Sequence, residues 1–175
     1  DVSFLPVRQD HVIHAAGHKL RVVSAPGPND GHMSLYDAEH RWLFCSEFGL
    51  PGLPHRVESV QAYLESLLKL RDLGATDLFP SYGPLPSKGP VLLERQFRFL
   101  DNFLQNAPLA LSKGPTLFEF VYNDLGLQPS DHLRYSATLR SYHAFLEELG
   151  RMRAIDVAGA GFERRYGITE EEIKA

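Results

Sequence analysis

Apolar and polar positions alternate in short runs along the first quarter of the chain and then change to a helical period. Val12-Ile13-His14 and Leu20-Arg21-Val22-Val23 are rich in β-branched residues and flank a turn at Ala16-Gly17. Pro26 to Gly31 is a loop by composition. Met33 and Leu35 alternate into another strand, Asp37 to His40 makes a polar turn, and Trp42-Leu43-Phe44-Cys45 forms the next strand. The pattern predicts a meander of strands joined by tight turns.

Val57, Val60, Leu64, Leu67 and Leu68 fall on one helical stripe, and Gly74 stands where a C-cap is expected. Asp77-Leu78-Phe79-Pro80 reads as a short buried strand, and Pro84, Pro86 and Pro90 mark a linker. Beyond it Leu93, Phe97, Leu100 and Leu104 predict a second amphipathic helix, and Thr116 to Leu125 a shorter third. Ser130 is a suitable N-cap for a fourth, with the stripe Tyr135, Leu139, Tyr142, Leu146 and Leu149 ending at Gly150. Met152 to Val157 and Phe162 to Tyr166 flank the turn Ala158 to Gly161. Thr169-Glu170-Glu171-Glu172 has the spacing of a capping box. Three helices followed by a hairpin is the order of a winged helix. Two domains are expected, at 1–88 and 89–175.

Composition narrows the class. The chain has 175 residues, of which 43% are hydrophobic and 23% charged, as in a globular protein. No apolar run is long enough to span a bilayer. The start at Asp1 lacks the basic and apolar segments of a signal peptide. With one cysteine, Cys45, no internal disulfide can form, and an intracellular home, cytoplasm or organelle matrix, is expected. The net charge of -4 gives no general footprint for nucleic acid. From residue 90 onward ten Lys or Arg face twelve Asp or Glu, so Arg134, Arg140, Arg164 and Arg165 are candidate nucleic-acid contacts without an excess of positive charge behind them.

Three pieces of sequence carry a resemblance. They are Ala25-Pro26-Gly27-Pro28-Asn29-Asp30-Gly31-His32, then Leu43-Phe44-Cys45-Ser46-Glu47, then Phe79-Pro80-Ser81-Tyr82-Gly83-Pro84 beyond a helix. Their spacing resembles the second half of the metallo-β-lactamase superfamily, where a strand leads to P-G-H-T-x-G-H, a later strand ends in G-D, and P-G-H-G-P follows a helix. With the helical tail the chain is similar to the β-lactamase-like protein 2 group. The resemblance implies an α+β fold: the second half of an αββα sandwich followed by a small winged-helix-like domain.

The ligand letters depart from that pattern. Pro28 stands at the first ligand histidine, Glu47 at the bridging aspartate and Tyr82 at the last histidine. A paired zinc site needs a bridging carboxylate and neutral imidazoles. Proline offers no donor, a phenol binds zinc poorly at neutral pH, and glutamate is one methylene longer than aspartate. His32 matches the family's supporting histidine. Read as residues alone, His32 is a hydrogen-bonded loop anchor, Glu47 a solvated or paired carboxylate, and Tyr82 a packing residue. His11, His14 and His18 read as surface histidines, with His14 and His18 on one face of a strand, and Cys45 as a small buried hydrophobe.

These readings imply no metal or other cofactor and a binding or structural module. The alternative is a metal-dependent hydrolase of an ester, thioester or phosphodiester, with zinc held mainly by an N-terminal half. That half's H-x-H-x-D-H motif is absent from this sequence, which is therefore expected to be part of a longer product. Its lone sheet would expose an apolar face, so a partner is expected: the missing half, another subunit or a second copy of the chain.

Overall fold

The computed structural model describes residues 6–50, 57–81, 87–110, 142–150, 155–158 and 165–168. They divide between two compact units. One comprises Asp1–Gly52 with Gln61–Phe97, and the other Leu53–Val60 with Arg98–Ala175.

The first unit is built on a six-stranded sheet, ordered as in the chain: β1 (Val12–Ala15), β2 (His18–Ser24), β3 (Met33–Asp37), β4 (Trp42–Ser46), β5 (Asp77–Pro80) and β6 (Ser87–Lys88). The first four strands form the expected antiparallel meander. Helix α1 (Val60–Asp72) then carries the chain to β5, which pairs parallel with β4, and β6 returns antiparallel.

Strand alternation assigns the two faces. Val23, Tyr36, Leu43, Cys45 and Leu78 lie on one face and are buried. The Tyr36 hydroxyl donates to the Leu73 carbonyl just past α1 (3.0 Å), which places this face against the helix. The other face carries Ile13, Leu20, Leu35, Trp42, Phe44 and Phe79, all half-buried, with Val22 buried among them. Phe44 and Phe79 stack across β4 and β5 with centroids 4.8 Å apart.

Helix α1 differs from the sequence expectation in phase and start. It begins at Val60, with Ser59 at the N-cap position and Val57 before it. Its buried side is Val60, Tyr63, Ser66, Leu67 and Leu70, whereas Leu64 and Leu68 are half-buried or partly covered at its flank. The aliphatic stripe missed Tyr63 because that ring, not a leucine, fills the space beneath Phe48 (centroids 4.5 Å). Pro90 does not extend the linker. It lies in the first turn of α2 (Gly89–Ala110), where its missing N–H costs nothing.

The loop after β2 lies hard against α1. Gly27 has φ 134°, and a Cβ there would stand 2.5 Å from the Tyr63 Cα. The Ser66 hydroxyl donates to the Pro26 carbonyl at 2.7 Å and fastens the same approach.

In the second unit, helical residues 142–150 bury Tyr142, Phe145, Leu146 and Leu149. Phe103 meets Tyr142 and Phe145 edge-on (5.2 and 5.9 Å). β7 (Ile155–Ala158) and β8 (Arg165–Ile168) pair antiparallel, with the second strand later in the chain than the pattern suggested. The helix expected at 116–125, the N-cap at Ser130 and the capping box at 169–172 lie outside the described residues.

Gly27→Ala is expected to lower stability by roughly 2–4 kcal/mol, because the methyl group meets helix backbone and the φ suits only glycine. Gly17→Ala, at φ 85° with open space around it, is expected to cost about 1 kcal/mol. Urea midpoints of the two variants check the contrast. Equal shifts would show that the loop does not press on the helix.

Candidate functional site

The loop after β2 and the end of β4 come together at one end of the sheet. Pro28 is buried there and presents no donor atom. The His32 N–H bonds the Asn29 carbonyl (3.3 Å), and its Nδ1–H donates to the Ala25 carbonyl (3.1 Å), closing the loop on itself. His32 also meets Phe48 edge-on at 5.4 Å. Burial lowers its pKa below the ordinary 6.5, against the opposing pull of the Ala25 hydrogen bond and the Glu47 charge. The reading of His32 as a hydrogen-bonded loop anchor matches this geometry.

Glu47 is aimed by irregular backbone. The β4–β5 register shifts between Phe44 and Ser46, and Ser46 takes φ 53°, a left-handed conformation that favours glycine. Behind Glu47 runs a chain of buried hydrogen bonds. The Gly49 N–H donates to Gln96 Oε1 (2.7 Å), Gln96 Nε2 donates to the Tyr63 hydroxyl (3.2 Å), and that hydroxyl donates to the Glu47 carbonyl (3.3 Å). Burial, then the Glu47 charge, raises the Tyr63 pKa, so the phenol stays protonated. Cys45 is buried, donates to the Phe48 carbonyl (3.1 Å), and burial pushes its pKa up to about 12. It is a packed side chain and not a nucleophile.

Glu47 Oε2 is buried and has no hydrogen-bond partner among the described residues. Two zinc ions need more than one carboxylate and a loop-anchoring imidazole. Among the described residues, His32 and Glu47 are the metal-binding side chains placed at this end by the sequence pattern. Tyr82 lies outside the described residues, as do Arg134, Arg140 and Arg164; Arg165 opens β8.

Sequence reasoning missed a second constellation at the other end of the same strands. His18 opens β2, Asp37 ends β3, and His40 sits in the turn before β4. The Nδ1 atoms of His18 and His40 both lie on Asp37 Oδ2, at 2.8 and 2.9 Å. Asp37 Oδ1 accepts the N–H groups of Glu39 and His40 (3.0 and 3.1 Å). Burial pushes the Asp37 carboxyl upward, but hydrogen bonds from the His40 N–H and the two rings outweigh it and hold its pKa at about 2. His18 is half-buried beside Trp42 (5.2 Å), not a free surface residue. It pairs with Ala15, while His14 pairs with Lys19, so His14 and His18 lie on opposite faces. His11 and His14 are exposed as expected. The only hint in the sequence was the Asp37–His40 spacing within a turn. His18 joins them solely through the β2–β3 register.

No family model matches the chain. A metallo-β-lactamase family protein from Thermus thermophilus superposes with TM-score 0.74 at 23% identity, over 96% of this chain and 55% of that one. A β-lactamase domain protein from Burkholderia ambifaria gives 0.72 at 18% identity, over 95% and 52%. This chain has the metallo-β-lactamase fold. It is α+β, as the spacing of the three sequence pieces implied. The β-lactamase-like protein 2 homolog of Caenorhabditis elegans is 35% identical over 72 residues, 41% of this chain. The chain spans about half the length of the solved metallo-β-lactamase-fold structures, and the match covers 24% of the C. elegans protein. Among the described residues no helix is long and apolar enough to cross a membrane.

Because folding depresses the His32 pKa, the unfolded chain binds more protons than the folded one below about pH 6.5. The contribution of His32 to stability is whole above that pH and declines as pH falls through the depressed folded value. His32→Gln is expected to flatten this part of the profile. Urea midpoints of both proteins between pH 7.5 and 5 check it; parallel profiles would contradict it.

Proposed function

We propose that this chain is a binding or structural layer of a metallo-β-lactamase-fold assembly and performs no hydrolysis with its own residues. The buried Pro28 at the first ligand position carries the reading. A pyrrolidine ring there fills the place where an imidazole would be needed, and no other imidazole at this end, among the described residues, is free of the loop's own hydrogen bonds.

The half-buried row Leu20, Leu35, Trp42, Phe44 and Phe79 supports a partner. In the family fold two sheets pack face to face, and this is the face that a second sheet would cover. The occupant we assign is that second sheet, borne by the other half of the fold. Its match in length is the remainder of the T. thermophilus chain beyond the 55% covered here. The tail is assigned a winged-helix-like arrangement and a packing role, on the element order of residues 142–168 and the acidic balance of the region. An intracellular setting fits the single buried thiol.

A second reading has an observation of its own. The unpartnered Glu47 Oε2 is a buried acceptor, and such an atom is costly unless something satisfies it. A metal-dependent hydrolase whose main ligands come from the other half would direct a cation or a donor to it.

Ester, thioester and phosphodiester hydrolysis by the chain, alone and combined with a separately supplied N-terminal half, separates the two. The first reading predicts no rate above background in either case. A rate that needs the added half, is abolished by chelator, and falls at least 100-fold in Glu47→Ala would establish the second.

A further inference from the structure

We propose that His18, Asp37 and His40 form a binding site for one divalent cation of the zinc type, at the end of the sheet opposite Pro28 and Glu47. Each of the three residues offers a ligand atom, these atoms lie within 4.8 Å of one another, and both Nδ1 nitrogens already touch Asp37 Oδ2 at 2.8 and 2.9 Å. Two imidazoles and one carboxylate are a donor set that zinc accepts, leaving a fourth position for water.

The placement is separate from the loop site. β2 runs from His18 to Ser24 before reaching the Pro28 loop, and β4 runs from Trp42 to Ser46 before reaching Glu47. Seven strand residues span about 20 Å, too far for one ion to serve both ends.

The carboxylate is divided in its duties. Oδ1 is taken by the two backbone amides of the 37–40 turn, which fixes the plane of the group. Those amides suffice for an ordinary aspartate turn. Oδ2 is left to both rings, and the turn does not need either of them. Backbone donors to one oxygen with the other presented to a cation is the outer-shell arrangement that orients a ligating carboxylate.

The rings are held as well. His18 and His40 meet edge to face at 4.8 Å, and both lie against Trp42, at 5.2 and 4.8 Å. The indole walls one side while the histidine side chains keep 31% and 41% exposure, an open path for an ion and its water. Asp37 itself is 1% exposed, so the charge that draws the cation is shielded from bulk solvent.

Loading the site requires the two rings to reorient, because atoms now up to 4.8 Å apart must come together around one ion. Ligand atoms about 2.0–2.1 Å from a tetrahedral ion lie about 3.3 Å apart. The present 2.8 and 2.9 Å contacts would open by about half an ångström. In the hydrogen-bonded form each neutral ring carries its proton on Nδ1. On binding, each proton moves to Nε2 and the Nδ1 lone pair turns to the cation. Both rings remain neutral and no proton is released. The ion would tie the start of β2 to the β3–β4 turn.

Zinc chloride titrated into the chain at pH 8, followed by calorimetry, tests the site. One zinc per chain is expected to bind saturably below 100 μM. His18→Gln and His40→Gln are each expected to weaken it at least tenfold, and His14→Gln to leave it unchanged. Asp37→Asn keeps a side chain able to cap the turn and is also expected to weaken binding. Cobalt(II) is expected to give visible absorption bands in the parent chain that vanish in His40→Gln. Absence of saturable binding, or binding that persists in both His18→Gln and His40→Gln, would overturn the proposal. Zinc lost in Glu47→Ala but kept in His40→Gln would overturn it too, and would also contradict the non-catalytic reading of the loop site. Zinc kept in Glu47→Ala and lost in His40→Gln supports this site whatever the fate of that reading.

Discussion

The close approach of the β2–β3 loop to helix α1 governs the rest of the first unit. At Gly27 the chain passes so near the Tyr63 backbone that no side chain fits between them. Tyr63 is also the ring beneath Phe48 and the donor to the Glu47 carbonyl. One helical residue thus fixes the loop that bears Pro28 and His32 and the strand end that bears Glu47. Gln96 joins this point to α2 by bonding both Gly49 and Tyr63. The framework around the loop site is held together by these contacts between protein groups.

Such a framework is compatible with the non-catalytic reading proposed above. In a site stabilised mainly by its ion, losing ligands would leave buried polar groups without partners. Here the Tyr63 hydroxyl, the Gln96 amide and the His32 Nδ1 each find a protein partner. Two buried atoms are exceptions among the described residues: Glu47 Oε2 and the Ser34 hydroxyl have no hydrogen-bond partner. The opposite end has the reverse character: Asp37 engages all its lone-pair directions, and its two ring partners are themselves metal-binding groups.

β3 and β4 were legible in the sequence because each has one buried face and one more open face, so alternation survives at Met33–Tyr36 and Trp42–Cys45. The loop anchor His32 and the buried Cys45 were legible from their local setting. The phase of α1 was not, because the decisive residue is an aromatic whose partner, Phe48, is fifteen positions away. The His18–Asp37 contact spans nineteen residues and exists only through strand register. A pattern read along the chain does not give that register, and a slip of one residue would turn His18 to the other face. Tyr82 and three of the four candidate arginines fall outside the described residues, so their part in the sequence reading stands as an expectation.

The most direct trial of the account is anomalous scattering at the zinc edge from crystals of this chain grown with excess zinc. With the loop end closed by its own hydrogen bonds, no peak is predicted within about 2.5 Å of either carboxylate oxygen of Glu47, the range of a direct zinc–oxygen bond. A peak bonded to Glu47 and completed by residues of this same chain would contradict the account.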